Sequence, residues 1–437
     1  MKLNVKVPPL RTHEGGVAKH INAEQQLRRS VMACMLWESS FYEDGASIAD
    51  RIAGLIPKVA PEKVAAIAIE AREKMKLRHV PLLIVREMAR LPGHKALVAD
   101  TLERVIQRAD ELTEFLAIYW KDGRQKLSAQ VKKGLAKAFV KFSAYDLAKY
   151  NRDGAVKLRD VLFLCHAKPK DEAQAATWKQ LINGTLPIPD TWEVELSASK
   201  DKKESWSRLL SEKKLGALAL LRNLRNMAQA GIPDSLVESA LSEIKVDRVL
   251  PYRFIAAARH APNLEPALES AMFKCVEGGS VLPGRTILLV DVSGSMDCAL
   301  SAKSDMSRID AACGLAILMR EMCDKVYVAT FSNQIAIVPA RRGFALRDAI
   351  KNSQPHQGTY LGQALNNVEG EADRIIVITD EQSADCVPDP KWPKAYMINV
   401  STEKNGVGYG KWVSISGWSE SIIKYIQQLE SEQENAR

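Results

Sequence analysis

The sequence predicts a chain in two parts, a stack of helix pairs followed by an open, mostly parallel α/β sheet. Three observations predict it. From Ala23 to Glu277 apolar side chains recur at spacings of three and four, with few strand-like runs. From residue 285 onward the rhythm becomes strand, helix, strand, the alternation of a sheet covered on both faces by helices. Between the two, Gly278-Gly-Ser-Val-Leu-Pro-Gly284 collects the breakers expected of a linker.

Residues 1–22 read as an irregular arm. Helices are expected over 23–40, 61–76, 80–91, 94–107, 109–120 and 128–142, then 158–166, 171–183, 204–230, 233–243, 251–260 and 263–277. Breakers such as Pro92-Gly93, Asn151-Arg-Asp-Gly154 and Gly231-Ile-Pro233 separate them. Helices this short cannot each bury a face alone, and stacking them in pairs answers that need. The expected form is an α-solenoid of HEAT-like helical repeats, with an irregular bundle open beside it because no clean period is visible. Thr185–Lys203 reads as looser, with a mobile loop at Ser197–Lys203. In the Rossmann-like part, 285–437, strands are expected at 286–292, 325–331, 334–338, 374–380, 394–400 and 412–416. Helices over 306–323, 344–352, 360–368 and 419–431 complete it.

Hydrophobic residues make up 46% and charged residues 26%, ordinary for a soluble globular protein. No apolar run approaches the roughly 18 residues that span a bilayer, and the N-terminus has no hydrophobic signal core. A cytoplasmic address without a membrane partner is expected. The seven cysteines are scattered, without a C-x-x-C pair, and read as free thiols. Charge is unevenly shared: from Gly284 onward 16 basic face 19 acidic residues, −3, so residues 1–283 carry +11 of the net +8. A basic first part suggests a polyanion partner, although lysine-rich solvated faces are common.

The most informative stretch is Thr286-Ile-Leu-Leu-Val-Asp-Val-Ser-Gly-Ser-Met296. A buried strand runs into Asp291, Ser293 and Ser295, and alternation in extended chain sends all three to one side. Hard oxygen donors at the C-terminal end of a parallel strand suit Mg²⁺ or a similar divalent cation. A polar turn capping the next helix is the plainer alternative. Downstream, Gln357-Gly-Thr-Tyr360 puts Thr359 in a Gly-containing turn, and Arg374-Ile-Ile-Val-Ile-Thr-Asp-Glu381 is a second buried strand ending in Asp380.

That order, D-x-S-x-S, a loop Thr, then a strand-end Asp, resembles the metal-ion-dependent adhesion site of von Willebrand factor A domains. The resemblance covers residues from about 284 onward. It implies that Ser293, Ser295 and Thr359 bind the ion directly, while Asp291 and Asp380 hold bound waters or the serines. It also implies an open position for a partner's carboxylate. Hydrolysis lacks a general base, since no His or Glu motif adjoins the site and Glu381 reads equally well as a solvated loop residue.

The helical part carries further motifs: Leu135-Ala-Lys-Ala-Phe-Val-Lys-Phe142, Tyr150-Asn-Arg-Asp-Gly154, Leu158-Arg-Asp-Val-Leu-Phe-Leu-Cys-His-Ala-Lys-Pro169 and Leu220-Leu-Arg-Asn-Leu-Arg-Asn-Met227. These resemble the TROVE module of Ro ribonucleoproteins, in which a von Willebrand A domain follows. The resemblance implies a TROVE helical-repeat RNA-binding domain over 23–277 that curves into a ring closed by the A domain. It further implies binding of Y-type non-coding RNA and of the single-stranded 3′ ends of misfolded RNA. Lys133, Lys137 and Lys141 share one helix face by their spacing. The motif match points to RNA contact for Lys137, Lys141, Arg152, His166, Lys168 and Arg222, with the His166 ring free to stack on an unpaired base. Arg225 stands where relatives often have glycine. Trp37, Trp178, Trp192 and Trp206 read as packing residues.

The leading expectation is a non-enzymatic RNA-binding scaffold in RNA quality control, partnered by non-coding RNA and by an exoribonuclease or another protein offering a carboxylate, with no DNA partner. The alternatives are a metal-dependent protein-interaction module without RNA and a metal hydrolase.

Overall fold

The computed structural model describes residues 9–34, 42–199, 201–246, 249, 251–275, 277, 281–301, 305–419 and 421–435. Two compact units divide the chain: residues 49–205 form one, and residues 1–48 with 206–437 form the other. The linker expected at 278–284 falls inside the second unit, and its residues 278–280, like 35–40 of the first expected helix and Trp37, lie outside the described residues.

The helices are Ala23–Met32 (α1), Gly45–Leu55 (α2), Pro61–Glu73 (α3), His79–Arg90 (α4), Lys95–Val105 (α5), Asp110–Tyr119 (α6), Ala129–Val140 (α7), Ala144–Tyr150 (α8), Leu158–Cys165 (α9) and Glu172–Asn183 (α10). Trp192–Ala198 (α11), Lys202–Ser211 (α12), Ala217–Gln229 (α13), Asp234–Ser242 (α14), Tyr252–His260 (α15) and Glu265–Phe273 (α16) follow. Within residues 49–205 the helices pack chiefly on the helix two further along, α3 on α5, α5 on α7, α7 on α9, α4 on α6 and α8 on α10, and α4 lies against both α3 and α5. The α5–α7 contact is close because Gly134 has no side chain; a Cβ there would sit 2.9 Å from the Ala99 carbonyl oxygen. Phe139 and Trp178 meet edge-on with centroids 5.3 Å apart, so Trp178 is a packing residue as expected.

Sequence reading missed α2 and the seven-residue α8 and α11, and merged α12 with α13. The break falls where Lys213 adopts φ +55° and Gly216 caps the next helix. Ser143 caps α8 reciprocally with Asp146, the signature that periodicity alone overlooks. The segment expected as a mobile loop at 197–203 holds the end of α11 and the start of α12, with Thr191 capping α11.

The sheet consists of Leu282–Asp291 (β1), Cys323–Phe331 (β2), Ile335–Ile337 (β3), Arg374–Thr379 (β4), Lys394–Asn399 (β5) and Val413–Ser416 (β6). Its order is β3-β2-β1-β4-β5-β6, parallel except for the edge strand β3. Helices Arg308–Met322 (α17), Gly343–Lys351 (α18), Leu361–Asn367 (α19) and Ser421–Asn435 (α20) accompany it. β4 is buried along its whole length, as a central parallel strand must be. β1 and β4 pair in register from Thr286↔Arg374 to Val290↔Ile378, so the residues just beyond them emerge side by side. No helix among the described residues is long and apolar enough to cross a membrane.

The sheet's far end is fastened by charge. Arg374 is fully buried and its guanidinium grips the Glu430 carboxylate of α20, which also takes Lys394 Nζ at 2.7 Å and the Tyr396 hydroxyl at 3.1 Å. Burial raises the Glu430 pKa, but Arg374 and Lys394 outweigh it and hold the carboxyl below its usual range. Its contribution is therefore full above the unfolded value of about 4.3 and is lost as pH falls through the lower folded value. A Glu430→Gln variant is expected to melt lower at pH 7 and to approach the wild type as both are acidified below pH 4. Thermal melts at both pH values check this.

Candidate functional site

The register of β1 against β4 brings four of the five expected metal-site residues into one hydrogen-bonded cluster. Asp291 Oδ1 accepts from the Ser293 amide at 2.9 Å, and Asp291 Oδ2 accepts from the Thr379 hydroxyl at 2.6 Å. Ser293 and Ser295 hydroxyl oxygens are 3.3 Å apart, and Ser295 Oγ donates to Asp380 Oδ2 at 2.7 Å. Thr359 is buried in the loop beside them, which is tied to this turn by the Gly294 amide on the Gln357 carbonyl at 2.8 Å.

Two side chains that sequence reading did not single out complete the cluster. Arg308, the first residue of α17, is buried and donates to Asp380 Oδ2 at 3.2 Å and to the Ser295 carbonyl at 3.3 Å. The Tyr42 hydroxyl donates to the same carboxylate oxygen at 2.5 Å, and its ring lies 4.6 Å from the Arg308 guanidinium carbon. Burial and the neighbouring Asp380 push the Tyr42 phenol up, so it stays a donor. Burial first, and Asp380 second, push the Asp291 carboxyl up to about 7. Two carboxylates are thus held together out of water with one guanidinium between them and their surroundings.

That donor set fits a hard divalent cation. Among the described residues no three His, Cys, Asp or Glu side chains gather as a metal cluster, so the oxygens on offer are hydroxyls backed by two carboxylates. Ser293, Ser295 and Thr359 are the residues that would hold an ion, and a buried surplus of negative charge favours one. Bound there, a divalent cation would supply a Lewis-acidic position.

Glu381, expected equally as a solvated loop residue, is fully buried. Arg29 of α1, itself 0% exposed, meets Glu381 Oε2 at 2.5 Å and also donates to the Glu403 carbonyl at 2.5 Å and the Asn405 carbonyl at 3.0 Å. Burial works against the Arg29 charge, and the Glu381 carboxylate more than offsets it. The residues expected as a loose arm dock on the same loops: Thr12 Oγ1 donates to the Ser383 carbonyl at 2.7 Å, and the Lys19 amide to the Gly406 carbonyl at 2.9 Å. Gly406 and Gly408 make room, since a Cβ at either would lie 2.2 Å from a Glu381 carboxylate oxygen.

The expected RNA-contacting residues divide into two kinds. Arg152, His166 and Lys168 are exposed. His166 ends α9 in the left-handed conformation, φ +54°, and with the 55%-exposed Phe163 it borders a shallow cavity of about 420 Å³. Phe163 was missed, although an aromatic residue off the buried phase of α9 is a legible signal. Lys137 and Lys141 are engaged within the fold. Lys137 pairs with Asp100 at 2.7 Å and Glu103 at 3.3 Å. Lys141 turns its ammonium onto the Glu103 and Ile106 carbonyls at the end of α5, where burial lowers its pKa. Arg222, in the other unit, is exposed on α13.

Residues 176–278 match the family described as TROVE domain. Of the four motif blocks quoted above, Leu220–Met227 lies within that range and the others precede it. A stretch of 91 residues, 20% of the chain, is 35% identical to Telomerase protein component 1 of Mus musculus and 34% identical to that of Rattus norvegicus. The stretch spans 4% of those relatives' length. The crystal structure of the Deinococcus radiodurans RO (RSR) protein superposes with a TM-score of 0.60 at 18% identity, covering 93% of this chain and 100% of that one. Residues 176–278 are thus similar to a TROVE domain, within a helix-rich, multi-domain fold that resembles that of the Deinococcus radiodurans protein and ends in a mixed α/β sheet.

Proposed function

We propose that the protein is a non-enzymatic RNA-binding scaffold of Ro type. Its ligands are structured, Y-like non-coding RNA and the single-stranded 3′ ends of misfolded RNA, and its place is in RNA quality control or processing. The observation that carries this reading is the TROVE match over residues 176–278. The exposed positions of Arg152, His166, Lys168 and Phe163 support it, because cations and unburied aromatic edges are how single strands are held.

In the same reading residues 285–437 are a von Willebrand factor A domain. Ser293, Ser295 and Thr359 hold Mg²⁺, Asp291 and Asp380 stand behind them, and a partner protein such as an exoribonuclease lends a carboxylate. The parallel sheet with one antiparallel edge strand and the oxygen cluster at the ends of β1 and β4 support this part.

Titration of a 3′-tailed RNA tests the proposal. Six phosphate contacts predict an affinity loss on the order of a thousandfold between about 50 and 200 mM salt. Since Lys141 is committed to carbonyl groups, the informative variant is Arg152→Ala with His166→Ala and Lys168→Ala, all at exposed positions. A loss of about tenfold or more is expected, one or two stacking and phosphate contacts being worth 1–3 kcal/mol each. A salt-independent affinity, or an unchanged one in the triple variant, would remove the RNA reading and leave a protein-interaction module.

A further inference from the structure

The chain's arginines are for the most part matched with acids: Arg29, Arg72, Arg78, Arg86, Arg104 and Arg374 each hold a carboxylate. Arg222, Arg225 and Arg253 differ. Among the described residues none of the three has a carboxylate within ion-pair distance, and all three border one cleft of about 500 Å³. Arg222 and Arg225 stand three apart on α13 and so project to the same side. Arg253 enters from α15, its guanidinium carbon 5.0 Å from the Tyr252 ring centroid.

The cleft also holds one acid. Asp305 turns its Oδ2 to the His260 ring at 2.9 Å and lies outside ion-pair distance of the three arginines. The floor is apolar, made by Leu221, Ala256, Ala257, Leu300 and Met306, and Leu218 forms a wall that is 43% exposed. Three unmatched guanidinium groups over an apolar floor suit a ligand with an anionic end and a flat, weakly polar body. Guanidinium forks match phosphate oxygens in pairs, and the volume lies within the range of small-ligand sites.

We propose that this cleft binds a nucleotide by its phosphate, with Arg222, Arg225 and Arg253 on the phosphate oxygens and the base or ribose against Leu218 and the floor. The nucleotide is either the phosphorylated terminal residue of an RNA strand or a free mononucleotide. The first source rests on the RNA-binding reading above; the phosphate chemistry does not. Arg225 thereby acquires a role on geometric grounds, at a position whose family pattern offers none.

The test uses the full chain and calorimetric titration with AMP, with adenosine as the phosphate-free control. AMP is expected to bind at least tenfold more tightly than adenosine. The Arg225→Ala/Arg253→Ala double variant is expected to lose at least tenfold in AMP affinity while keeping the wild-type melting temperature, since neither side chain holds a carboxylate. Should that variant melt early, Leu218→Glu serves as the second probe, because from an exposed position it sets a carboxylate at the wall that repels the phosphate and is expected to weaken AMP binding equally. An RNA oligomer with a terminal phosphate, displaced by AMP and bound better than its dephosphorylated twin, identifies the strand end as the source. Free AMP binding without such displacement identifies the mononucleotide. No AMP binding at millimolar concentration, or an affinity untouched by the double variant, overturns the site. Failure of the RNA reading shows separately, as salt-independent RNA titrations in a protein that still takes AMP.

Discussion

An Arg29→Ala variant is expected to lose about 3–5 kcal/mol of stability, the cost of leaving one member of a buried ion pair without its partner. Both side chains of the Arg29–Glu381 pair are 0% exposed, so water cannot replace the lost guanidinium. Glu381 Oε1 already lacks a hydrogen-bond partner, and the Gly408 amide at 3.0 Å would be left as a donor to the other carboxylate oxygen. The loss reaches further than one carboxylate, because the same guanidinium serves the Glu403 and Asn405 carbonyls. Arg29→Lys keeps the charge but cannot reach three acceptors in a fork, and it should fall between the two. Thermal melts followed by the buried Trp412 and Trp418, with hydrogen exchange at the Lys19 amide, read out the unit and the docked segment together. A wild-type melt for Arg29→Ala would show that the pair contributes nothing.

The second large effect is expected at the oxygen cluster. Calorimetry with Mg²⁺ should show binding that is abolished in Ser293→Ala/Ser295→Ala, since that variant removes two of the three hydroxyl donors. Arg308→Ala should act in the opposite sense. Its guanidinium lies 3.2 Å from Asp380 Oδ2, where it both offsets the carboxylates and repels an incoming cation. Without it, two buried carboxylates face one another, and the metal-free variant is expected to be destabilised by about 3–5 kcal/mol. Added Mg²⁺ at 100 times its dissociation constant should return about 2.7 kcal/mol of this. Melting temperature against Mg²⁺ concentration, for the variant and the wild type side by side, is the measurement. An Arg308→Ala protein indifferent to Mg²⁺ would remove the cation from this site.

What the sequence made legible follows from what is local. β1 and β4 are continuous apolar runs ending in acids, and a parallel register carries those acids to adjacent positions whatever the loops do. The cluster of Asp291, Ser293, Ser295 and Asp380 was therefore readable from alternation and strand order. Arg308 and Tyr42 were not, because they reach Asp380 across 72 and 338 residues and neither interrupts a periodic pattern. Arg29 is the clearest case: nothing near it in the chain announces Glu381. Lys141 has a role that spacing hides. Its spacing from Lys137 puts it on a cationic stripe, and from its exposed position just past the end of α7 its ammonium also satisfies the last carbonyls of α5. Helices α8 and α11 escaped because seven residues are too few for a period, while their Ser143 and Thr191 caps were there to be read.

The Arg29–Glu381 clasp also sets an order of events on the ribosome. The two residues are 352 positions apart, which at 5–20 residues per second means a wait of roughly 18–70 s between the appearance of one and of the other. Through that interval Leu27 and Val31, fully buried in the finished protein, belong to a helix whose counter-charge has not yet been made, and transiently exposed apolar surface of this kind is prone to aggregate. A message truncated before codon 381 yields a product whose first helix never finds its counter-charge, and quality-control proteases gain a ready mark of incompleteness.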